Sequence, residues 1–223
     1  MTPLTEEPLK TMLPLAFLGG TFDPVHRGHL ALAKAALDEL RLARVEFLPA
    51  PSPWQKKDVT GVDLRLEMLR AAIQYEPHFG LDTTELTLGA PTYAIRTVEV
   101  LRERYGPERS LVWILGDDQW ARFDTWVEWQ RILNYVHIAV ANRIDAVPVD
   151  AELRGFEKLH SGMVEDIHVR PHGSVVHFRM PRSPESSTEI REAYRRGEPE
   201  SVAAWLKTST REFIASHGLY TGE

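Results

Sequence analysis

The sequence contains no cysteine and no long hydrophobic run. The lack of cysteine excludes a disulfide scaffold, a cysteine nucleophile and a thiolate site for zinc or an iron–sulfur cluster, so any metal site must use oxygen or imidazole ligands. The first apolar stretch, at 13–18, is far shorter than the roughly 20 residues of a membrane-spanning helix, and no signal-like segment precedes it. We therefore expect a soluble, cytoplasmic protein.

Basic residues are in the minority, with 26 Lys and Arg against 32 Asp and Glu, and the net charge is −6 when histidine is neutral. This balance argues against non-specific binding to nucleic acid or to an anionic membrane. A small anionic ligand needs only a local basic pocket, so the expected partners are small molecules. With 223 residues, of which 43% are hydrophobic, the chain can bury a core within one domain.

Hydrophobic periodicity divides most of the chain into alternating strands and helices. Residues 1–12 show none, so we predict a flexible leader there and one domain at 13–223. Short apolar runs predict strands at 13–18, 44–48, 79–82, 111–115, 136–141 and 175–180. Apolar residues three and four positions apart predict helices at 28–40, 62–75, 92–105, 188–196 and 209–217. Residues 143–173 are polar, and we interpret them as an irregular excursion from the sheet.

Strands that alternate with helices indicate parallel pairing through crossover connections. The expected fold is therefore α/β, an open, mostly parallel, Rossmann-like sheet with helices on both faces. Ligands of such sheets bind at the carboxyl ends of the strands, near the point where the strand order reverses. The loops that follow predicted strands at this edge are at 19–29, 49–57, 116–126, 142–143 and 181–188.

The first of these loops carries two glycines, Gly19 and Gly20, and two imidazoles, His26 and His29, close to the start of a predicted helix. Glycine lets a backbone approach a phosphate closely, and a helix N-terminus offers unpaired N–H groups with partial positive charge. Neither the GxxxxGK[ST] nor the GxGxxG spacing occurs here. A lone histidine at a helix start is more often a cap or a solvated residue, but the combination favours a phosphate site.

The block GGTFDPVHRGHL at 19–30 resembles the signature of nucleotidyltransferases with an HxGH motif, and specifically that of bacterial nicotinate-nucleotide adenylyltransferases. The resemblance implies adenylyl transfer from ATP to nicotinate mononucleotide in NAD biosynthesis. His26 and His29 would then be catalytic residues that bind the phosphates of ATP and stabilise charge on the α-phosphorus. The same resemblance assigns four neighbours to the ATP site, namely Gly19, Gly20, Thr21 and Phe22.

A second block, PESSTEIR at 184–191, is similar to the ISSTxIR motif of that family, which contacts the triphosphate. By this match Ser187 and Thr188 bind ATP, and Arg191 acts as a catalytic residue together with the two histidines. Hydroxyls and amides at a helix start, with an arginine one turn later, suit phosphate oxygens. The alternative is an ordinary N-cap at Ser187 or Thr188 with a surface arginine.

A third region, LGDDQW followed by FDTW at 115–126, looks like the LGxD and FxxW segments of the family. The match implies that Trp126 stacks on the nicotinate ring and that Asp118 binds ribose hydroxyls. The alternative is that the tryptophans pack in an amphipathic helix, and for Trp129 we prefer that interpretation.

The segment APTYAIRT at 90–97 is similar to the PSYTxxTL segment of the family. The resemblance implies that the backbone near Tyr93 reaches the nicotinate carboxylate. Ala94 stands where threonine is usual, which removes a hydroxyl but leaves a main-chain contact available.

The segment PSPWQKK at 51–57 departs more clearly from the family pattern, which more often has PPHK at this place. Gln55 takes the histidine position and cannot carry charge, so an electrostatic role in mononucleotide binding falls on Lys56. Arg143 aligns with a basic position that approaches the mononucleotide phosphate, and a solvated loop arginine is its alternative.

Adenylyl transfer needs no general base, since the attacking phosphate is already ionised at neutral pH. The expected cofactor is Mg²⁺ arriving with ATP, and we predict no protein metal ligand because no paired carboxylates have ligand spacing. Three other functions stay open: transfer to nicotinamide mononucleotide, transfer to phosphopantetheine, and non-catalytic nucleotide binding. The oligomeric state also stays open, a homodimer included.

Overall fold

The computed structural model describes residues 12–51, 59–142, 148–181 and 183–221. Within them one sheet is formed by β1 (Leu15–Gly20), β2 (Arg44–Pro49), β3 (Phe79–Leu81), β4 (Leu111–Gly116), β5 (His137–Asn142) and β6 (Val175–Arg179). The strand order is β3-β2-β1-β4-β5-β6, and every neighbouring pair is parallel. This confirms the predicted open α/β sheet. The order reverses between β1 and β4, where such sheets bind ligands.

Helices connect the strands along the described chain. The α-helices are α1 (Arg27–Glu39), α2 (Val62–Ile73), α3 (Thr84–Leu88), α4 (Ala94–Tyr105), α5 (Asp117–Trp120), α6 (Ala151–His160), α7 (Asp166–Val169), α8 (Ser187–Arg195) and α9 (Thr208–Ser216). Short 3₁₀ helices lie at Phe123–Thr125, Trp129–Asn134 and Pro199–Trp205. None of the helices in the described part of the chain is long and apolar enough to cross a membrane.

The sheet is covered on both faces, which explains why its strands are continuous apolar runs. In β1, Ala16 and Leu18 face one buried cluster, whereas Leu15 and Phe17 face the other. The first cluster includes side chains of α1, α2, α8 and α9, and the second includes side chains of α4, α6 and Trp129–Asn134. Alternate residues of each strand therefore point to opposite cores, as the pleat requires.

The interpretation of residues 143–173 as irregular was wrong, because α6 and α7 lie in that segment. The Asp150 carboxylate accepts a hydrogen bond from the Leu153 amide at 2.8 Å and so caps the start of α6. Leu153 is fully buried, and the Phe156 ring packs against the Trp129 ring at 4.6 Å. A narrow apolar stripe in a polar segment was enough to fix this helix.

Two other differences from the predicted elements are small. The helix predicted at 92–105 begins at Ala94, because Tyr93 has extended backbone angles and acts as the N-cap. The short helices α3 and α5 were not predicted. The leader predicted at 1–12 falls almost entirely outside the described residues and stays a prediction.

Candidate active site

Two neighbouring cavities open at the carboxyl ends of β1 and β4. We name them the histidine cavity, of about 310 Å³, and the tryptophan cavity, of about 410 Å³. Residues that contribute to the wall of both are Gly19, Gly20, Thr21 and Gln119. A ligand in one cavity can therefore meet a ligand in the other above the end of β1.

The two cavities differ in the chemistry of their walls. Polar residues that further line the histidine cavity are Asp23, His26, His29, Asp118, Ser183, Glu185, Ser187, Thr188 and Arg191. Residues that further line the tryptophan cavity are Ala50, Glu85, Thr92, Tyr93, Ala94, Trp113, Thr125, Trp126 and Val127. Imidazoles, hydroxyls and a guanidinium suit a polyanion, and exposed aromatic rings suit a planar ring.

The two imidazoles stack on each other at the start of α1. Their ring centroids are 3.7 Å apart, and the His26 amide donates a hydrogen bond to His29 Nδ1 at 3.3 Å. The close packing depends on Gly28, where a Cβ atom would lie 2.6 Å from Ser183 Oγ and 3.0 Å from His26 Nδ1. The glycine between the two histidines is thus a steric requirement of the pair.

Burial keeps both imidazoles neutral. It lowers the pKa of His26 to about 4, against a smaller opposing effect of the Glu185 carboxylate. Burial also lowers the pKa of His29, and the neighbouring His26 adds to the effect. At pH 7 the site therefore offers two uncharged imidazoles. A bound polyphosphate would raise both pKa values, because an opposite charge at close range favours the protonated form.

Two buried polar atoms of the histidine cavity are left without a hydrogen-bond partner among the described residues. They are His26 Nδ1 and Arg191 Nε. Buried polar groups are nearly always satisfied in folded proteins, so unsatisfied ones at a cavity indicate a polar ligand.

The loop between β1 and α1 has a strained turn. Phe22 has a φ of 51°, in the left-handed region that costs a non-glycine residue roughly 1–2 kcal/mol. Its ring is buried and packs edge-to-face against two rings. The ring centroids are 5.0 Å apart for His29 and 5.5 Å apart for Phe47. Aromatic packing offsets the strain and fixes the turn beside His29.

Helix α8 joins this loop directly, although it lies far along the chain. Ser187 Oγ donates to the Pro24 carbonyl at 2.9 Å, and Arg191 Nη1 donates to the Asp23 carbonyl at 2.6 Å. The N-cap of α8 is Ser186, whose side chain accepts from the Glu189 amide, and not Ser187 or Thr188 as the alternative interpretation supposed. Ser187 and Thr188, which follow the cap, both line the histidine cavity, and the Ser187 hydroxyl hydrogen is already given to Pro24.

In the tryptophan cavity, Trp126 follows the 3₁₀ turn Phe123–Thr125 and is partly exposed, with its ring 5.3 Å from the Phe123 ring. Tyr93 and Ala94 bring the N-terminus of α4 to the same cavity. The first amides of a helix have no intrahelical partner and favour an anion. Trp129, by contrast, packs against Phe156, in agreement with the packing role preferred for it.

The residues predicted to bind the mononucleotide do not all lie in one place. Tyr93 and Trp126 line the tryptophan cavity, whereas Asp118 lines the histidine cavity, beside Gln119, which reaches both. Lys56 and Arg143, together with Gln55, lie outside the described residues. Their predicted roles stay predictions.

Sequence reasoning missed one titratable group of the tryptophan cavity, Glu85. It is 8% exposed, and its Oε1 accepts a hydrogen bond from Thr97 Oγ1 at 3.3 Å. Burial raises the pKa of Glu85 to about 7, and the nearby Asp82 contributes in the same direction. No motif marked this residue. Gln119 was also missed, although it lies within the LGDDQW block.

Within the described residues, no three His, Asp or Glu side chains come together in a geometry that could hold a metal ion. The donors around the histidine cavity are imidazoles, hydroxyls and scattered carboxylates. They fit a cation that is held mainly by phosphate oxygens and water, as is usual for magnesium bound to a nucleotide.

Comparisons with known proteins agree on one family. The sequence model of the cytidylyltransferase-like family matches residues 17–193 of this chain. A protein of Bordetella petrii is 39% identical over 213 residues, which cover 94% of this chain and 100% of the relative. A protein of Dechloromonas aromatica is 36% identical over 214 residues, which cover 93% of this chain and 97% of the relative. Both carry the name "Probable nicotinate-nucleotide adenylyltransferase".

Solved structures agree in fold. Plasmodium falciparum nicotinic acid mononucleotide adenylyltransferase complexed with NaAD superposes with a TM-score of 0.74 at 15% identity, over 93% of this chain and 97% of that chain. The same enzyme complexed with APC gives a TM-score of 0.71 at 14% identity, with the same coverage. From the sequence relatives, supported by this fold, the chain belongs to the cytidylyltransferase-like family and, within it, to the nicotinate-nucleotide adenylyltransferases.

Proposed function

We infer that the protein transfers the adenylyl group of ATP to nicotinate mononucleotide, giving nicotinate adenine dinucleotide and pyrophosphate in NAD biosynthesis. The observation that carries this proposal is the pair of adjoining cavities that share Gly19, Gly20, Thr21 and Gln119. A transfer between two bound substrates needs such a common wall, because the reacting atoms must meet in line.

We place the triphosphate of ATP in the histidine cavity. His26 and His29 lie in the cap and first turn of α1, whose N-terminal amides favour negative charge. Arg191 and the Thr188 hydroxyl supply further donors from α8, and Ser187 lines the same wall. In its neutral form an imidazole still donates one hydrogen bond, and it gains a proton where the phosphates are close. These groups would stabilise charge on the α-phosphorus and on the departing pyrophosphate.

We place the pyridine mononucleotide in the tryptophan cavity. Trp126 offers a ring face for stacking, and Tyr93 and Ala94 present helix amides that favour the carboxylate of nicotinate over a neutral carboxamide. In this arrangement the phosphate of the mononucleotide points toward the shared wall. Lys56 and Arg143 are proposed to contact it from the loops after β2 and β5.

The reaction needs the protein for orientation and charge stabilisation. The phosphate of the mononucleotide attacks the α-phosphorus, and the bond to the pyrophosphate breaks on the opposite side. No side chain has to remove a proton. Mg²⁺ carried by the triphosphate would neutralise part of its charge, and His26, His29 and Arg191 would neutralise the rest.

A pyrophosphate-release assay with ATP and three acceptors tests the proposal. The acceptors are nicotinate mononucleotide, nicotinamide mononucleotide and phosphopantetheine, and we expect the highest kcat/KM with the first. A preference for either of the others would assign a sister reaction. ATP binding without pyrophosphate release from any acceptor would instead indicate a non-catalytic nucleotide-binding protein.

A further inference from the structure

Arg65 is a fully buried cation in α2, and its hydrogen bonds within the described part of the chain go to backbone carbonyls. Its Nη1 donates to the Thr21 carbonyl at 2.6 Å, and its Nη2 donates to the Ala50 carbonyl at 2.9 Å. Its Nε donates to the Thr60 carbonyl at 2.9 Å. One guanidinium therefore joins the loops that follow β1 and β2.

These carbonyls belong to the site. Thr21 lies in the wall shared by the two cavities, and Ala50 lines the tryptophan cavity. The planar fork of arginine reaches both at once, which the single ammonium of lysine cannot do in the same geometry. The position of Arg65 thus sets the distance between the loops that receive the two substrates.

A second contact holds the same region from the end of the chain. The Tyr220 hydroxyl donates to Asp23 Oδ1 at 2.6 Å, and the Thr60 amide donates to Asp23 Oδ2 at 3.1 Å. The carbonyl of Asp23 accepts from Arg191 at 2.6 Å. Asp23 is 2% exposed, so its carboxylate is satisfied by these donors and orients the peptide that Arg191 contacts.

Neither Arg65 nor Tyr220 is among the residues that line the cavities, so they do not meet the substrates directly. We propose that Arg65 and Tyr220 are positioning residues for adenylyl transfer, which hold Thr21 and Asp23 in the geometry that the triphosphate and Arg191 require. The inference rests on the proposed function. It assigns a role in the reaction to a helix and a C-terminal segment that carry none of the sequence motifs.

Tyr220→Phe is the sharpest test, since it removes one hydroxyl and keeps the ring. Tyr194→Phe is the matched control, because the Tyr194 ring packs edge-on against the Tyr220 ring at 6.2 Å, in the same core. We expect Tyr220→Phe to lower kcat by about tenfold, since small displacements of reacting groups have effects of this size. The KM for nicotinate mononucleotide should stay within twofold. The control should keep the wild-type kcat.

The melting temperature separates this role from a purely structural one. The loss of one buried hydrogen bond should lower it by about 2–4 °C, which leaves the protein folded at 25 °C. Asp23→Ala combined with Tyr220→Phe should lower kcat no further than Asp23→Ala alone, because Asp23→Ala already removes the acceptor of the Tyr220 hydroxyl. Arg65→Lys, which keeps the charge, should lower kcat and raise the KM of both substrates.

The proposal is overturned if Tyr220→Phe and Arg65→Lys both keep kcat within twofold of wild type, or if Tyr194→Phe loses as much activity as Tyr220→Phe. A wild-type protein that releases no pyrophosphate would remove the proposed function and this inference together. An active wild type in which Tyr220→Phe and Arg65→Lys are both equally active removes the inference alone.

Discussion

Among single side chains, His29 is the one whose loss should affect the chemical step most. It stacks on His26 and packs against Phe22 at the start of α1. We expect His29→Ala to lower kcat by about 10²–10⁴-fold, the usual effect of losing a preorganised donor to a transition state. Steady-state pyrophosphate release measures it. His78→Ala is the control, because His78 is exposed and precedes β3, at the amino edge of the sheet. Rates within threefold of wild type would contradict the role.

Trp126 and Trp129 should separate binding from packing. Trp126→Ala should raise the KM for nicotinate mononucleotide by about 5–150-fold with little change in kcat, since stacking of ~1–3 kcal/mol acts in both ground and transition states. Trp129→Ala should instead lower the free energy of unfolding, because this ring packs on Phe156. Kinetics with each substrate varied and urea unfolding measure the two effects. A change in Trp126→Ala confined to the KM for ATP would contradict the stacking role.

Glu85, in the wall of the tryptophan cavity, should make the stability of the folded protein depend on pH. Burial raises its pKa to about 7 from 4.5, so the folded protein holds this proton more tightly than the unfolded chain. The resulting stabilisation is present below pH 4.5 and is lost as the pH rises through 7. Between pH 6 and 9 the wild type should lose about 1 kcal/mol of stability through this group, and Glu85→Gln should not. Urea unfolding at both pH values checks this, and an equal loss in both proteins would contradict it.

At the scale of elements, α8 offers a test that distinguishes a helix cap from a ligand contact. Ser186→Ala removes the cap and should lower the free energy of unfolding by about 1 kcal/mol. Ser187→Ala removes the hydroxyl that lines the histidine cavity and donates to Pro24, so the KM for ATP should rise. Urea unfolding and ATP titration of the rate measure both. A larger stability loss in Ser187→Ala, with an unchanged KM for ATP, would reverse the assignment.

Sequence patterns predicted the strands well because a sheet covered on both faces needs continuous apolar runs. They failed at α6, where a single buried leucine and a capping aspartate fix a helix within a polar segment. They also indicated residues that line the histidine cavity, Gly19, Gly20, His26, His29 and Arg191 among them, since glycines, imidazoles and a helix start leave local signals. Arg65 and Tyr220 leave no such signal, because their partners lie 44 and 197 positions away. Only the packing of α2 and of the chain end brings them to the site.

For the whole molecule, buried neutral histidines should make the fold sensitive to acid. Burial lowers the pKa of His26 and of His137 from 6.5 to about 4, and it lowers that of His29 as well. The unfolded chain therefore binds more protons than the folded protein between pH 4 and 6.5. The contribution of these histidines to stability is fully present above pH 6.5 and is lost as the pH falls toward 4. The raised pKa values of Glu85 and Glu46 oppose this trend.

His137 lies in β5, outside the site, so its share of the acid sensitivity can be measured without disturbing the reaction. Its Nδ1 accepts from the Ser174 amide at 3.1 Å, and its Nε2 donates to the Arg170 carbonyl at 2.9 Å, an arrangement that only the neutral ring satisfies. From pH 7 to 5 the free energy of unfolding of the wild type should fall by about 2 kcal/mol through this group. The fall in His137→Gln over the same pH range should be smaller by that amount, whatever the stability of the variant at pH 7. Urea unfolding at both pH values gives the difference. The same loss in wild type and variant would show that His137 contributes nothing to the acid sensitivity.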